Sequence, residues 1–274
     1  KLSYMFNMGH MAYTGQAGFD LYMGENFDSL KFYRTANFNF NYNHYEFTFF
    51  DRNEALNQLF VLNFPLYASV EEILVGVNED AEVKKVENLF PNEGKIVFYG
   101  TSITQGGCAS RPGMSYTQII SRHLGYECLN FGFSGNGKGH IEVAQILSTI
   151  ENVKMFILDY EANVEFTRLK STLKPFVAEL RKKYPTVPIF IISKIIFSSE
   201  THFSKDAEEE CMIRSYQEEF VKTCSIFDKN IYYIDGRTLL GDDFNEKTVD
   251  GVHPNDYGFA SIARTIENKI KEKL

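Results

Sequence analysis

The sequence predicts a three-layer α/β domain with a parallel sheet, preceded by a smaller all-β module of the sandwich or jelly-roll kind. Two observations predict this architecture. The first part of the chain is rich in Phe, Tyr and Asn and carries short alternating apolar runs without long helical periods, as antiparallel strands do. The second part alternates short continuous apolar runs with helical stretches, as expected of parallel strands covered on both faces. We therefore divide the chain into residues 1–92 and 93–274.

The predicted strands of the first part are aromatic or β-branched segments bounded by polar Asn, Asp or Glu turns. They lie at 19–24, 30–38, 44–50, 59–67 and 71–77. The many aromatic side chains have two interpretations, a core between two sheets or a sugar-binding face, and we favour the core.

The second part alternates strands and helices along its whole length. The predicted strands lie at 95–100, 127–133, 153–160, 187–194 and 231–236. The predicted helices lie at 115–125, 140–150, about 164–184, about 206–227 and from about 256 to the C-terminus. Gly125 is the expected C-cap of the first helix, and Pro185 closes the third. In such sheets ligands bind outside the carboxyl ends of the strands, so the loops that follow the strands are the candidate site.

The bulk composition argues against several classes of function. The chain has 274 residues and a net charge of −8, which disfavours nucleic-acid and anionic-membrane partners. No apolar run approaches the roughly 18 residues that span a bilayer. The four cysteines form no CxxC pair, so neither a disulfide framework nor structural zinc is predicted. The chain begins at Lys1 without a signal peptide, as a processed or trimmed product would, and the compartment stays open.

The loop after the first parallel strand presents a hydroxyl. Ser102 lies two residues past Gly100, and Thr104 excludes a G-x-S-x-G elbow. Taken alone, Ser102 is a turn residue or a helix N-cap.

The loop after the second strand is glycine-rich. The glycines at 135, 137 and 139 do not match G-x-G-x-x-G, and the fingerprint would normally follow the first strand, so no nicotinamide or flavin site is predicted. A loop of this composition lets backbone N–H groups approach a ligand closely, as an oxyanion hole requires.

Two further loops carry polar side chains at the same edge. Asn163, after the third strand, can donate an amide hydrogen bond or cap the next helix. Asp250 can accept a hydrogen bond from Nδ1–H of His253 and leave Nε2 free to take a proton from a serine. A capped helix start with an incidental histidine is the alternative interpretation. The remaining histidines are assigned surface or packing roles; they are His10, His44, His123, His140 and His202.

Together these loops supply a nucleophile, oxyanion donors, a general base and its orienting acid on one sheet edge. The near-adjacent acid and base differ from the well-separated pair of α/β-hydrolases and indicate another hydrolase fold. The sequence resembles the SGNH (GDSL-type) hydrolase superfamily in four blocks, in the expected order. These are GTSIT (100–104), NFGFSGNG (130–137), LDYEAN (158–163) and DGVHPND (250–256).

The resemblance implies a flavodoxin-like fold and assigns roles to particular residues. Ser102 matches the nucleophile, and Asp250 and His253 match the catalytic acid and base. The oxyanion hole would comprise the backbone N–H groups of Ser102 and Gly135 and the amide of Asn163. No metal or organic cofactor is implied.

Some positions depart from the superfamily pattern. Thr101 stands where an Asp is usual, Glu161 replaces a Gly and Val164 an Asp, which we expect to affect substrate preference more than catalysis. Residues 8–22 and 64–77 resemble the β-module that precedes the hydrolase domain in a bacterial branch. Further strands usually precede this point in that branch, so we expect Lys1 to lie inside the module.

The expected function is that of a serine esterase acting on short acyl esters, above all acetyl groups on carbohydrate. A lipid or lysophospholipid acylhydrolase and a non-catalytic glycan-binding protein are the alternatives. The expected partner is a small-molecule or glycan ester. Gln105, Arg111 and Tyr257 lie in or near the same loops and receive no role, and Cys108 is interpreted as a packing residue.

Overall fold

A computed structural model describes residues 1–2, 8–52, 54 and 56–274. The first part of the chain forms a small antiparallel sheet. Its strands are β1 (Asp20–Gly24), β2 (Lys31–Thr35) and β3 (Leu59–Asn63), in the order β2-β1-β3. A short helix, α1 (Tyr13–Gln16), precedes them. The predicted small β-module is confirmed as this sheet, and the second sheet of a sandwich is not found among the described residues.

Two predicted strands of the first part are wrong. Residues 44–50 alternate in burial as a strand would but pair with no neighbour in the described chain. Residues 71–77 are exposed throughout, and Leu74 is 84% exposed. A strand needs a partner for its N–H and C=O groups, and β-propensity describes only how well a side chain fits a pleated surface. The expected aromatic core is found in part, because Phe19 and Tyr22 are buried whereas other rings of this sheet are exposed.

The second part forms a parallel sheet in the order β5-β4-β6-β7-β8, the 2-1-3-4-5 order of flavodoxin-like folds. Its strands are β4 (Lys95–Gly100), β5 (Glu127–Gly132), β6 (Val153–Asp159), β7 (Ile189–Ile192) and β8 (Ile231–Ile234). Each lies within a predicted strand, so the predicted parallel sheet is confirmed. The division after residue 92 falls between β3 and β4 and stays a prediction.

Helices accompany these strands. They are α2 (Ser102–Gln105), α3 (Tyr116–Leu124), α4 (Ile141–Thr149), α5 (Phe166–Lys183), α6 (Ser198–His202), α7 (Ser204–Cys224) and α8 (Asp256–Ile270). The five predicted helices are found, as α3, α4, α5, α7 and α8, and two short helices that were not predicted, α2 and α6, are also present. Gly125 caps α3 with φ of 66°, a left-handed conformation that glycine adopts without strain. No helix in the described part of the chain could span a membrane.

Helices cover both faces of the parallel sheet. Along β4, Ile96 and Phe98 pack in one core with α3 and α8, whereas Val97 and Tyr99 pack in the other with α4 and α5. All four side chains are fully buried, which explains why the strand is a continuous apolar run. The two cores hold the carboxyl edge of the sheet rigid, and that edge carries the predicted site.

A buried ion pair fixes the small sheet to the α/β domain. The fully buried Asp20 accepts hydrogen bonds from Arg111 Nη1 at 2.7 Å and from the Gly113 N–H at 2.8 Å. Tyr22 Oη accepts a second bond from Arg111, and Asn63 Nδ2 donates to Asp20. Because removing one partner of a buried pair leaves an uncompensated charge, loss of either Asp20 or Arg111 is expected to destabilise the docked arrangement. The docked arrangement brings the segment before β1 next to the predicted site.

Candidate active site

Ser102 begins α2 directly after β4 and is almost completely buried. The N-cap of this helix is Thr101, whose Oγ1 accepts a hydrogen bond from the Ile103 N–H at 3.3 Å. Ser102 is therefore not the residue that caps the helix. Gly106 ends the helix with φ of 104°, a conformation that favours glycine.

Ser102, His253 and Asp250 form a continuous hydrogen-bonded chain. Ser102 Oγ lies 2.9 Å from His253 Nε2, and His253 Nδ1 lies 2.8 Å from Asp250 Oδ2. An ionised carboxylate can only accept, so Nδ1 carries the proton and Nε2 accepts from the serine hydroxyl. The structure thus brings together three side chains that 151 residues of sequence separate.

The turn that contains Asp250 keeps its carboxylate ionised. Oδ1 accepts hydrogen bonds from the backbone N–H of His253 at 2.7 Å and of Val252 at 3.1 Å. Partial burial alone would raise the pKa of Asp250, but the bonds from the backbone and imidazole of His253 outweigh it and lower the pKa below its ordinary value. A carboxylate held in this way fixes the orientation of the imidazole.

The loop that follows Ser102 supports the loop that carries His253. Asp256 accepts hydrogen bonds from the Ser110 N–H at 2.8 Å and from Ser110 Oγ at 2.5 Å. Asn255 caps α8 by accepting from the Gly258 N–H at 3.0 Å. The loop after Ser102 and the loop that carries His253 are therefore held in a fixed relation.

The predicted oxyanion donors lie on three segments, and a hydrogen bond joins the loops of Gly135 and Asn163. Asn163 Nδ2 donates to the Phe133 carbonyl at 3.2 Å, which leaves its second amide hydrogen available. Gly135 has φ of 68°, and in the described part of the chain neither its N–H nor that of Ser102 has a hydrogen-bond partner. Gln105 Oε1 accepts from the Ser134 N–H at 2.9 Å and holds the glycine loop against α2.

Glu161 anchors the turn that carries Asn163. Its Oε2 accepts a hydrogen bond from the Lys194 N–H at 2.9 Å and another from Gln217 Nε2, so the turn is tied to the end of β7 and to α7. Burial raises the pKa of Glu161 to about 8. The sequence identifies Glu161 as a departure from the superfamily pattern. It does not indicate the hydrogen bonds by which Glu161 anchors the turn.

Asp159 lies buried beneath the nucleophile helix. Its Oδ2 accepts hydrogen bonds from Tyr116 Oη at 3.0 Å and from Thr104 Oγ1 at 3.2 Å. Burial raises the pKa of Asp159 from 3.8 to about 7, although both hydrogen bonds oppose the rise. The carboxyl group is therefore protonated in the folded protein under mildly acidic conditions.

This raised pKa predicts a stability change with pH. Between about pH 4 and pH 7 the folded state keeps a proton on Asp159 that the unfolded state has lost, so the free energy of unfolding falls as pH rises, by up to about 1.4 kcal/mol per pH unit. Asp159→Asn removes this contribution. We expect urea unfolding of the variant to show a shallower loss of stability from pH 5 to pH 7 than the native protein; parallel curves would contradict this.

Two residues to which the sequence assigns only surface or packing roles lie beside His253. The His10 ring centroid lies 5.4 Å from that of His253, and Cys108 Sγ donates to the His10 carbonyl at 3.4 Å. His10 precedes β1, and only the docking of the small sheet brings it to the site, so no local signal could have identified it. His123 lies on the surface, in agreement with its predicted surface role, and its Nδ1 is 2.8 Å from Glu267 on α8.

The three residues near these loops to which the sequence assigns no role make contacts that support the structure. Arg111 holds the buried Asp20, Gln105 holds the glycine loop, and Tyr257 Oη donates to Asp243 at 2.9 Å. None of these contacts involves Ser102 Oγ or the His253 imidazole.

Comparisons with known proteins cover both parts of the chain. The family model of GDSL-like lipases and acylhydrolases matches residues 93–271, and a model of the N-terminus of SGNH hydrolase-type esterases matches residues 1–83. A search of curated proteins finds no match.

Solved structures share the fold over nearly the whole chain. A Bacteroides ovatus protein described as a GDSL-like lipase is 33% identical, with a TM-score of 0.85 over 98% of this chain and 78% of that one. A salicylyl-acyltransferase from a tetracycline biosynthetic pathway is 17% identical, with a TM-score of 0.69 over 93% of this chain and 73% of that one. A Clostridium thermocellum family two carbohydrate esterase, solved with cellohexaose, is 16% identical, with a TM-score of 0.60 over 95% of this chain and 86% of that one.

Proposed function

The chain belongs to the GDSL-like lipase/acylhydrolase family and is a carboxylic ester hydrolase, and from this premise we propose that Ser102, His253 and Asp250 are its catalytic triad. The observation that carries the proposal is the hydrogen-bonded chain from Ser102 Oγ through the imidazole to the Asp250 carboxylate, at 2.9 and 2.8 Å. This arrangement prepares a weakly nucleophilic hydroxyl for attack on a carbonyl carbon.

In the proposed acylation step, Ser102 Oγ attacks the ester carbonyl while His253 Nε2 takes the hydroxyl proton. Asp250 stabilises the imidazolium that forms, without itself accepting the proton. His253 then donates that proton to the leaving alcohol, and an acyl-enzyme remains on Ser102. A water molecule, deprotonated by the same nitrogen, releases the acid and restores the serine.

The oxyanion of each tetrahedral intermediate would be held by the backbone N–H groups of Ser102 and Gly135 and the amide of Asn163. Among the described residues the N–H groups of Ser102 and Gly135 have no hydrogen-bond partner, which supports this role. Each preorganised donor of this kind is worth about 3–4 kcal/mol of barrier.

We propose short acyl esters, above all acetyl groups on carbohydrate, as the substrates. The resemblance of residues 8–22 and 64–77 to the module of bacterial enzymes of this superfamily supports a glycan substrate. The fold shared with the Clostridium thermocellum carbohydrate esterase is compatible with the same class. A lipid acylhydrolase and a glycan-binding protein without turnover are the outcomes against which the proposal is tested.

The expected substrate profile is a loss of activity with acyl length. We expect kcat/KM for p-nitrophenyl esters to be highest for acetate and to fall towards decanoate, and acetate to be released from acetylated oligosaccharides. Both activities should disappear in Ser102→Ala and persist in Ser171→Ala, which alters an exposed serine of α5. A preference for decanoate or for lysophospholipid would favour the lipid enzyme, and no turnover of any ester would favour the binding protein.

A further inference from the structure

We propose that His10, Cys108, Asp250 and His253 form a binding site for a thiophilic divalent cation, best fitted by Zn²⁺, whose occupancy switches the esterase off. The inhibitory consequence rests on the proposed triad, whereas the binding site itself does not. The cation would be an inhibitor that competes with catalysis and not a cofactor of it.

The four side chains already lie close enough to share one ion. Each offers one ligand atom, and all of these atoms lie within 4.8 Å of one another. A tetrahedral Zn²⁺ with ligands at 2.0–2.3 Å needs ligand atoms about 3.3–3.8 Å apart, so closing the site needs movements of about 1 Å. His10 is exposed, so its ring can turn towards the ion, whereas Cys108 is buried and its sulfur stays in place.

The chemistry of the ligands selects the class of metal. Two imidazoles, one thiolate and one carboxylate suit Zn²⁺ and its neighbours, whereas Ca²⁺ and Mg²⁺ prefer sites made only of oxygen. Thiolate and carboxylate together carry two negative charges, which neutralise a divalent ion. Binding releases the thiol proton of Cys108 to solvent, and no oxidation or reduction takes place.

The ligands come from three separate parts of the chain. His10 belongs to the segment before β1, Cys108 to the loop after α2, and Asp250 and His253 to the loop before α8. The Asp20–Arg111 pair that docks the small sheet also positions His10 near His253. A bound ion would occupy the imidazole and the carboxylate that form the hydrogen-bonded chain with Ser102, so the serine would lose its base.

Cobalt tests the site without requiring any activity. We expect Co²⁺ added to the inactive Ser102→Ala protein to give one equivalent of a tetrahedral complex with a thiolate-to-metal absorption band. The band should vanish when Cys108→Ser is added and persist with the matched change Cys211→Ser, which alters an exposed cysteine of α7. A band that survives Cys108→Ser, or no band in the parent protein, would overturn the site.

Inhibition by zinc tests whether a bound ion switches the esterase off. We expect Zn²⁺ to inhibit ester hydrolysis reversibly, with recovery on adding EDTA, and the half-inhibiting concentration to rise by about 10- to 100-fold in His10→Asn and in Cys108→Ser. His44→Asn, which alters an exposed histidine of the same part of the chain, should leave it unchanged. Equal zinc sensitivity of the native, His10→Asn and Cys108→Ser proteins would overturn the proposal. If the native protein hydrolyses no ester, the proposed triad is refuted. The cobalt experiment then decides by itself whether the metal site exists.

Discussion

Ser102→Ala is expected to lower kcat for p-nitrophenyl acetate by about 10⁴- to 10⁶-fold, because the attacking oxygen is removed and only the oxyanion donors and substrate binding remain. Thr101, and not Ser102, caps α2, so the replacement of Ser102 by alanine should leave the fold intact. Initial rates at saturating substrate, with the uncatalysed rate subtracted, measure the effect.

A thermal unfolding curve close to that of the native protein is the control for Ser102→Ala. Ser171→Ala, at an exposed position of α5, controls for the loss of a serine hydroxyl outside the site. A loss smaller than about tenfold in kcat would show that another group carries the acyl transfer.

Asp250→Asn is expected to lower kcat by about 10⁴-fold while leaving KM within a few fold. The carboxylate accepts from Nδ1 of His253 through one oxygen and from the backbone N–H groups of Val252 and His253 through the other. An asparagine has only one oxygen. Whichever way its amide turns, its NH₂ group faces either Nδ1, which then adopts the wrong tautomer, or two backbone donors that lose their acceptor.

Asp242→Asn is the matched control for Asp250→Asn, because it makes the same change at an exposed aspartate outside the hydrogen-bonded chain. The pH dependence of kcat separates a catalytic from a structural role. Loss of the orienting carboxylate should displace the profile, whereas partial unfolding would lower it uniformly. Native-like activity in Asp250→Asn would mean that His253 does not need this partner.

Much of the parallel-sheet domain could be predicted because its signals are local. Residues 96–99 form an apolar run because helices cover both faces of the strand, and a glycine follows α3 where a left-handed residue is needed. The rule that ligands bind at the carboxyl ends of parallel strands then places Ser102 and His253 at one edge. The structure adds their hydrogen bond of 2.9 Å, which the rule alone does not give.

The features that could not be predicted depend on contacts between segments that are far apart in the sequence. Residues 71–77 have the composition of a strand, but composition does not supply a partner, and the segment is exposed. Asp20 and Arg111 are 91 residues apart, and neither position has a local pattern that indicates a buried pair. His10 reaches the site only through that docking. Glu161 is likewise explained only once Lys194 and Gln217 are seen beside it.

Labelling with a fluorophosphonate, followed by peptide mass spectrometry, tests the central claim most directly, because the reagent bonds covalently to an activated serine. We predict one phosphonyl group per chain, located on Ser102, and no labelling in Ser102→Ala or after unfolding. Labelling of a different serine, or an unlabelled native protein that still hydrolyses esters, would contradict the assignment of Ser102 as the nucleophile.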